Sequence, residues 1–408
     1  MYFDIVVIGA GPAGLAAAIK ASQRASVLLI EREAKPGGIL KQCIHDGFGV
    51  VRFGEKLSGP EYAQRFINQL KDTDVKTAFF SFVTQIKRLE QGFSLHYVCK
   101  EGVKHVNCGK IILATGCRER TANAISVFGD RCSGVFTAGA AQNLVNVLGV
   151  LPGRRVVILG SGDIGLIMAR RLTLEGAKVL GVYEAKPVPS GLSRNIHQCL
   201  HDFDIPLYLS RTVTRVFGRD RLSEVEISEV DENMRPIAGT QQRVQCDTLV
   251  LAVGLIPENE VAASLSLPMD GRTKGAIVDQ TCQTMADGVY ACGNALHVND
   301  LVDYVSESGE TAGFFASQER KPRKLVPINV VGGFGYAVPQ MLDLNCDAKN
   351  VIIYFRTAQP EENKRVTLTV GDKTVFSKKY ARLLPPEMER IAADLSDAQG
   401  EITLKMED

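Results

Sequence analysis

The chain has 408 residues, which is enough for about two or three domains of ordinary size. Hydrophobic residues make up 45% and charged residues 23% of the sequence, so a globular protein with substantial cores is expected. Lysine and arginine number 47 against 46 aspartates and glutamates, and this balance gives no electrostatic basis for binding nucleic acid or an acidic membrane surface.

The apolar runs and the cysteines indicate a cytoplasmic protein. No uninterrupted apolar run reaches the ~18 residues typical of a transmembrane helix. The apolar N-terminus lacks a basic start and is interrupted by Asp4, so it does not read as a signal peptide. The ten cysteines are scattered, without C-x-x-C or the spacing of a zinc or iron–sulfur site. We therefore expect a reducing compartment and no metal site.

The first predicted element is a buried strand that ends in a glycine turn. Residues 5–14 read IVVIGAGPAG, and the helical pattern LAAAIKASQR follows. In such a strand–turn–helix unit, Gly9, Gly11 and Gly14 allow a tight turn, close approach of a pyrophosphate and packing of the helix on the strand. Glu31 ends the next apolar run, SVLLIE, where an acid can accept hydrogen bonds from a ribose. This stretch predicts a dinucleotide site.

The same pattern recurs in the middle of the chain. Residues 156–165 read VVILGSGDIG, the helical pattern LIMARRLTLEG follows, and Glu184 ends the strand KVLGVYE. One such motif alone is weak evidence, because an ordinary glycine-rich turn gives the same letters. Two copies, each with strand, helix and acid in register, predict two bound dinucleotides. Glu184 would repel a 2′-phosphate and so favours NAD(H) over NADP(H), a preference that Lys186 would soften.

A pair of histidines follows the second motif. His197 and His201 would share one face of a helix in RNIHQCLHDF, with Cys199 and Asp202 nearby. A metal site can be imagined there, but a solvated amphipathic helix explains the pattern better.

After about residue 325 the sequence becomes rich in β patterns. Alternating apolar residues and a Gly371-Asp372 turn predict strands and a hairpin. LLPPEMERIAADL (383–395) predicts a short helix, and GGFGYAVPQ (332–340) predicts a glycine-rich loop. We interpret this part as a small β-rich module that serves interaction or rigidity. The predicted strands lie at 350–357, 365–380 and 401–406.

Four further stretches resemble the pyridine nucleotide–disulfide oxidoreductase superfamily. GGIL (37–40) resembles its turn near the flavin ring, and GVYACGN (288–294) resembles its strand that ends at the FAD ribityl chain. KIILATGCRER (110–120) and TLVLAVGLIPENE (248–260) resemble the exits from its FAD and NAD domains. The resemblance implies an α/β fold with two Rossmann-like dinucleotide-binding domains, the NAD domain inserted in a split FAD domain, plus the small C-terminal β-rich module. The implied boundaries are 1–119 and 249–325 for the FAD-binding domain, 120–248 for the NAD-binding domain and 326–408 for the module.

The resemblance also implies cofactor contacts at matching positions. At position 294 the chain has Asn where the superfamily usually has Asp, and Asn can still form a hydrogen bond with a hydroxyl. The implied FAD residues are Gly9, Gly11, Pro12, Ala13, Gly14, Glu31, Arg32, Gly37, Gly38, Ile39, Ala114, Thr115, Gly116, Gly293, Asn294 and Asp303. The implied NAD(H) residues are Gly160, Gly162, Asp163, Ile164, Gly165, Glu184 and Gly254.

Three side chains are candidates for chemistry beside the flavin. His45 and His297 could donate or accept a proton because imidazole titrates near neutrality, with a structural histidine as the alternative for each. Cys43 could form a charge-transfer contact or a transient sulfenate, with a packed thiol as the alternative. Disulfide reductases carry two nearby cysteines, whereas only Cys43 follows this turn, so dithiol exchange lacks its second sulfur. A helix beginning near Asp300 would direct its N-terminus at the flavin pyrimidine.

Longer stretches at 37–66 and 290–313 resemble one bacterial branch of the superfamily. Its members accompany an anaerobic-type glycerol-3-phosphate dehydrogenase and are akin to α subunits of heteromeric amine and amino-acid dehydrogenases. The resemblance implies electron transfer, in either direction, between NAD(H) and a partner dehydrogenase flavoprotein subunit or a small electron carrier. Two alternatives stay open: an FAD-holding structural or docking subunit with a vestigial NAD site, and a stand-alone NADH oxidase that uses Cys43. Self-association as a homo-oligomer is also left open.

Overall fold

A computed structural model describes residues 1–319, 321–346, 350–396, 398 and 400–408. The chain divides into two compact units. The first unit comprises residues 1–117 and 257–408, and the second comprises residues 118–256. The second unit is thus an insertion in the sequence of the first. No helix within the described residues is long and apolar enough to cross a membrane.

Helices and strands alternate through most of the chain, and the described elements after residue 320 are all strands. The helices are α1 Pro12–Ser22, α2 Gly59–Lys71, α3 Ala138–Asn146, α4 Asp163–Leu174, α5 Ser193–Cys199, α6 Glu260–Ala263 and α7 Val302–Ala316. The first half of the strands is β1 Tyr2–Ile8, β2 Val27–Ile30, β3 Lys76–Ala78, β4 Phe82–Arg88, β5 Phe93–Cys99, β6 Gly102–Leu113, β7 Cys117–Glu119, β8 Phe128–Gly129, β9 Val135–Thr137, β10 Arg155–Leu159, β11 Lys178–Tyr183, β12 Leu207–Tyr208 and β13 Arg211–Gly218. The second half is β14 Leu222–Glu229, β15 Gln242–Gln245, β16 Thr248–Leu251, β17 Leu255–Pro257, β18 Val289–Ala291, β19 Leu325–Val331, β20 Phe334–Val338, β21 Met341–Asp343, β22 Val351–Thr357, β23 Glu361–Val370, β24 Lys373–Leu383, β25 Glu389–Ala393 and β26 Ile402–Glu407.

A seven-stranded sheet forms the centre of the first unit. Its order is β3–β2–β1–β6–β5–β4, and β18 also pairs with β6. The strands β3, β2, β1, β6 and β18 are parallel, as in nucleotide-binding folds. In register, Ile8 lies opposite both Ile30 and Leu113, so β1, β2 and β6 end together at one edge of the sheet. The first glycine turn follows β1 at that edge.

Helices α1 and α7 pack against each other through small residues. A Cβ added to Gly309 would lie 2.2 Å from the carbonyl oxygen of Ala13, and one added to Gly313 would lie 2.3 Å from that of Ala17. The spacing of four residues on each helix places these pairs on one face of α1 and one face of α7. A larger side chain would push the helices apart, so these four residues fix the position of α1 and of the turn before it.

The second unit repeats the parallel arrangement. Its five-stranded sheet has the order β12–β11–β10–β16–β9, with every pairing parallel. Val156 and Ile158 of β10 pack into the core formed with α3 and α4. Val157 and Leu159 face the second core, formed with the sheet β15–β14–β13–β8. Burial of both faces explains why β10 is an uninterrupted apolar run.

The C-terminal module consists of two sheets that share one core. Their orders are β21–β19–β26–β23–β24 and β20–β22–β25. Phe355, Leu368 and Leu404, from three different strands, are fully buried in this core. The fold is therefore α/β, with two Rossmann-like units, one inserted in the other, and a C-terminal β-rich module, as predicted.

Two local predictions in this module are wrong. The segment predicted as a short helix at 383–395 contains strand β25, which pairs with β22 along residues 351–355. The segment predicted as a glycine-rich loop at 332–340 contains strand β20, which pairs with the other edge of β22. In both cases pairing with a strand distant in the sequence overrides the local preference.

Candidate functional site

Two glycines of the first turn have no room for a side chain. Gly9 has a φ of +100°, and a Cβ there would lie 2.4 Å from the carbonyl oxygen of Ala114. A Cβ on Gly14 would lie 1.8 Å from the carbonyl oxygen of Gly9. Gly11 is the N-cap of α1 and places no side chain over its first N–H groups, while Pro12 begins the helix. This geometry fits a helix N-terminus that binds the diphosphate of a dinucleotide.

Other predicted flavin-side turns meet at the same place. A Cβ on Gly38 would lie 2.9 Å from the Cα of Gly11, and one on Gly293 would lie 2.8 Å from the Cβ of Ala13. Gly116 has a φ of +74° and no heavy atom within 4 Å of an added Cβ. The structure therefore brings the Gly37-Gly38 turn, the Gly293 turn and the first glycine turn together at the start of α1.

The second glycine turn has the same geometry. A Cβ on Gly160, whose φ is +103°, would lie 2.2 Å from the carbonyl oxygen of Ala252. A Cβ on Gly165 would lie 2.3 Å from the carbonyl oxygen of Gly160, and Gly162 has open space around it. Gly254, two residues after Ala252, has a φ of +97°. In each unit the alanine of the exit motif thus lies against the first glycine, a contact that the sequence reasoning missed although the ATG and AVG letters signal it.

The acid of the first unit is buried and bound to two backbone N–H groups. Glu31 accepts a hydrogen bond from the N–H of Ala10 at 2.7 Å and one from the N–H of Glu33 at 2.8 Å, one on each carboxylate oxygen. A carboxylate has about four acceptor positions. Each oxygen therefore retains capacity for a ribose hydroxyl, and the backbone contacts fix its direction.

The acid of the second unit has equivalent partners. Glu184 accepts from the N–H of Ser161 at 3.0 Å on one oxygen and from the N–H of Lys186 at 3.1 Å on the other. The Ser161 hydroxyl donates a further hydrogen bond to Glu184 at 2.6 Å and accepts one from the N–H of Ser190 at 2.9 Å. The second acid is therefore tied both to its glycine turn and to the loop that follows it.

Two predicted NAD residues begin α4. Asp163 accepts hydrogen bonds from the N–H of Leu192 at 2.9 Å and from the side-chain amide of Asn195 at 2.7 Å. Its carboxylate thus holds the start of α5 beside the glycine turn. Ile164 is 42% exposed. The cofactor roles of both residues stay predictions.

Cys43 and His45 lie in the loop between the Gly37-Gly38 turn and α2. Burial raises the pKa of the Cys43 thiol to about 11, so the thiol is protonated at neutral pH and is a weak nucleophile. The Cys43 carbonyl accepts a hydrogen bond from the N–H of Gly59 at 2.8 Å, which fixes this loop to the helix. The His45 ring stacks obliquely on Phe48 with centroids 4.9 Å apart, and its Nδ1 lies 3.3 Å from the carbonyl oxygen of Asp46. Their catalytic roles stay predictions.

His297 is buried against the C-terminal module. It is 4% exposed, and its ring centroid lies 5.8 Å from that of Tyr336 and 5.5 Å from that of Tyr354. Burial, helped by the positive charge of Arg356, lowers the pKa of His297 to about 3. The imidazole is therefore neutral at physiological pH, which favours the structural alternative over proton donation.

Asn294 and Asp303 shape the loops around the candidate flavin site. The side-chain oxygen of Asn294 accepts from the backbone and side-chain N–H groups of Asn299 at 3.0 and 3.2 Å, and its amide donates to Cys117 Sγ at 3.5 Å. Asp303 is buried in the first turn of α7 and accepts from the N–H of Arg52 at 3.0 Å. Their carbonyl and carboxylate oxygens thus close two loops.

The remaining predicted FAD residues lie on the edges of the site. The Thr115 hydroxyl donates to the carbonyl oxygen of Glu258 at 2.6 Å. Arg32 is exposed, and Ile39 is 59% exposed. Sequence reasoning gave no role to Arg356, because a basic residue within a strand carries no sign of a distant partner.

The histidine pair His197 and His201 lies at and just after the end of α5. Within the described ranges, no group of three or more His, Cys, Asp or Glu side chains is arranged to hold a metal ion. The predicted helix around the histidine pair ends at Cys199, and His201 begins a separate 3₁₀ turn. The Nδ1 atoms of His197 and His201 lie 3.0 Å apart.

Curated relatives of the chain are components of bacterial enzymes. The A subunit of opine oxidase from Agrobacterium tumefaciens (strain Ach5) is 27% identical over 314 residues, which cover 72% of this chain and 61% of the relative. The HcnB subunit of hydrogen cyanide synthase from Pseudomonas protegens is 28% identical, with 65% and 60% covered. The alpha subunit of sarcosine oxidase from Corynebacterium sp. (strain P-1) is 27% identical, with 63% and 27% covered. The match thus spans about three fifths of the first two relatives and about a quarter of the third.

Solved structures and the family comparison agree on the fold. Thioredoxin reductase of T. acidophilum aligns with a TM-score of 0.65 at 22% identity, covering 78% of this chain and 98% of that enzyme. L-proline dehydrogenase of P. horikoshii aligns with a TM-score of 0.55 at 19% identity, covering 78% and 54%. At these identities the likeness establishes the fold alone. The family described as pyridine nucleotide-disulphide oxidoreductase matches residues 3–312, so both Rossmann-like units lie within the match. The chain therefore belongs to the pyridine nucleotide-disulphide oxidoreductase family, whose members bind FAD and NAD(P)(H).

Proposed function

We propose that this chain is an FAD-dependent oxidoreductase that transfers electrons between NAD(H) and a partner dehydrogenase flavoprotein or small acceptor, without a redox disulfide. FAD is assigned to the first glycine turn, in a domain of residues 1–119 and 249–325. NAD(H) is assigned to the second glycine turn, in residues 120–248. The observation that carries the proposal is the duplicated arrangement of glycine turn, exit alanine and acid bound to two N–H groups.

The order of the two cofactors follows from the turns around each site. Only the first glycine turn, within the described residues, is contacted by the Gly37-Gly38 turn and by the Gly293 turn. These extra turns suit the longer cofactor, whose ribityl chain and ring extend beyond the diphosphate. The second turn is approached instead by the loop that contains Ser190, which suits a cofactor that must enter and leave.

The nicotinamide cofactor is proposed to be NAD(H). Glu184 is buried, and each of its carboxylate oxygens accepts a hydrogen bond from a backbone N–H group, which fixes its direction. A 2′-phosphate beside this carboxylate would meet like-charge repulsion, whereas a free ribose hydroxyl would find an acceptor. The N–H of Lys186 binds Glu184, so the Lys186 side chain starts close to the same position and would soften the discrimination.

The absence of disulfide chemistry is proposed from Cys43. Its neighbourhood in the sequence offers no second cysteine, and burial raises its pKa to about 11. Thiol–disulfide exchange needs a thiolate and a second sulfur. FAD would supply a ring that can accept or give a hydride, and the first glycine turn with the Gly37-Gly38 and Gly293 turns would bind and orient it.

A partner subunit is proposed because the relatives are named as subunits and are longer than the matched region. The loop between the Gly37-Gly38 turn and α2 supports this, because Ile39, Val50 and Val51 are large apolar residues that are 48–60% exposed there. Such side chains are typical of surfaces that another protein covers. The resemblance stated above makes a dehydrogenase of the glycerol-3-phosphate type the first partner to test, and a cytoplasmic location belongs to the same proposal.

The test is anaerobic mixing of the FAD-loaded protein with NADH while the visible flavin band is recorded. We expect the band to bleach on the timescale of turnover, and NADPH at the same concentration to bleach it more slowly. An unchanged band with NADH, despite bound FAD, would remove the proposed electron transfer. Titration of the same protein with NADH then tests the alternative of a docking subunit, which predicts that NADH does not bind.

The partner is tested separately. The protein is isolated with its associated proteins, and glycerol 3-phosphate and NAD⁺ are added while NADH formation is recorded. NADH formation that depends on both this chain and the associated flavoprotein supports the assignment. Activity with an amine or an amino acid, and none with glycerol 3-phosphate, would contradict this partner and assign the partner to the amine or amino-acid dehydrogenases instead.

A further inference from the structure

The C-terminal module contacts the segment 293–308, which runs from the Gly293 turn into the second turn of α7. Three side chains of this segment contact strands β20, β22 and β25 or the loop before β25: His297, Asp300 and Glu307. His297 is packed between two tyrosine rings of the module, as described above. The two acids are held by charged or polar hydrogen bonds.

Asp300 has both carboxylate oxygens bound by the module. Arg356 Nη2 forms an ion pair with one oxygen, and the N–H of Met388 donates to the other at 2.6 Å. The same Arg356 Nη2 donates to the carbonyl oxygen of Val298 at 3.2 Å, and Arg356 Nε donates to the Tyr336 hydroxyl oxygen at 2.9 Å. Arg356 thus binds two points of the segment while its own position is fixed within the module.

Glu307 is held in the same way in the second turn of α7. The Tyr354 hydroxyl donates to one carboxylate oxygen at 2.8 Å, and Arg390 Nη2 donates to the other at 2.6 Å. The contacts of Asp300 and Glu307 therefore fix both ends of the first part of the helix to the module.

The inner side of this segment belongs to the candidate flavin site. The N–H of Gly293 donates to the Ser308 hydroxyl oxygen at 2.8 Å, and Asn294 holds Asn299 through two hydrogen bonds. Gly293 itself lies against Ala13, at the first glycine turn. Residues 293–308 thus form one hydrogen-bonded segment with the glycine turn on one side and the C-terminal module on the other.

We propose that Arg356 is a positioning residue for the flavin site, which holds the Gly293-Asn294 turn in its binding conformation through Val298 and Asp300. This inference rests on the assignment of FAD to the first glycine turn. The Arg356 side chain is only 14% exposed. A guanidinium taken out of water in this way requires its acceptors, so its removal releases the whole set of contacts at once. A site held rigid before the ligand arrives binds more tightly than one that must be ordered during binding.

A module that only stabilises the protein would not affect the flavin once folding is complete. The distinguishing measurements are therefore the dissociation constant of FAD, from fluorescence titration of the cofactor-free protein, and the visible circular dichroism of bound FAD. The variant is Arg356→Met, which keeps an apolar stem and removes the charge. The matched control is Lys364→Met, which breaks the ion pair of Lys364 with Asp408 inside the same module, far along the sequence from the segment.

We expect Arg356→Met to weaken FAD binding at least about tenfold and to change the visible dichroism, since several hydrogen bonds to charged groups are lost. Lys364→Met should change neither. Asp300→Asn should also weaken FAD binding. The double variant with Arg356→Met and Asp300→Asn should bind FAD no more weakly than the weaker-binding single variant, because both changes remove the same contact.

FAD affinity within about twofold of wild type together with an unchanged dichroism spectrum in a folded Arg356→Met protein would overturn the inference. If that variant does not fold, Asp300→Asn, which changes one charge and keeps Arg356 in place, decides by the same two measurements. A wild-type protein that binds no FAD would instead overturn the proposed function, so the two failures are distinguishable.

Discussion

Replacing Gly309 by Ala tests how closely the fold constrains the candidate flavin site. The added Cβ would lie 2.2 Å from the carbonyl oxygen of Ala13, which belongs to the first turn of α1. A backbone carbonyl cannot rotate away as a flexible side chain can. To reach an ordinary contact distance, α1 and α7 must therefore separate locally by about 1 Å.

Two effects of opposite sign compete in this variant. Helix propensity alone would stabilise α7 by about 1 kcal/mol, because alanine is the better helix former. Overpacking in a closely packed core costs about 1–3 kcal/mol, and this contact is more severe than a usual one because it involves backbone. We expect the steric cost to win and the melting temperature of the cofactor-free protein to fall by about 2–8 °C. Because α1 begins at the glycine turn, FAD binding should also weaken.

Thermal unfolding and FAD titration of Gly309→Ala and Gly271→Ala measure both effects. Gly271 has no heavy atom within 4 Å of an added Cβ and no left-handed φ, so its variant reports the effect of a methyl group without a steric conflict. A melting temperature of Gly309→Ala equal to or above that of wild type would refute the argument. It would show that α1 and α7 can separate at no cost.

Four further substitutions test the two acids, Cys43 and His297. Glu31→Gln should weaken FAD binding about tenfold and leave NADH binding unchanged, because an amide cannot accept hydrogen bonds at both oxygen positions. Glu184→Gln should weaken NADH binding and leave FAD binding unchanged. Fluorescence titrations that show the same loss for both ligands in either variant would contradict the assignment. Cys43→Ser should leave the rate of flavin reduction by NADH within about twofold, since the raised pKa keeps the thiol protonated, and a stopped-flow rate that collapses would support the oxidase alternative. Because the pKa of His297 is lowered to about 3 in the folded protein, this histidine is protonated at a higher pH in the unfolded chain than in the folded one. It therefore removes up to ~1.4 kcal/mol of stability per pH unit as the pH falls from 6.5 towards 3. Melting temperatures of His297→Gln should therefore fall less steeply over that range, and parallel profiles for variant and wild type would be the contrary result.

The sequence predicted those features that a local pattern encodes. The apolar run ending at Gly160 specifies a strand with both faces buried, and the structure places Val157 and Ile158 in two different cores. The glycines at the turns could be predicted because part of their geometry is local: Gly14 and Gly165 lie against the carbonyl oxygens of Gly9 and Gly160, earlier in each motif. The strand at 389–393 was not, since β25 exists through its pairing with β22 and its own letters read equally well as a helix.

The same distinction explains which parts of the candidate site were missed. Glu31 could be predicted because its partners lie at fixed offsets along one strand–turn–helix unit. The pairing of Asp300 with Arg356 spans 56 residues and joins a loop to the end of strand β22, and neither side has a motif. An aspartate before a helix reads as a cap, and an arginine in a strand reads as a surface residue. Only the contacts between them show that the C-terminal module packs against the segment beside the first glycine turn. A truncation before residue 325 would therefore expose His297 and leave Asp300 and Glu307 without these partners.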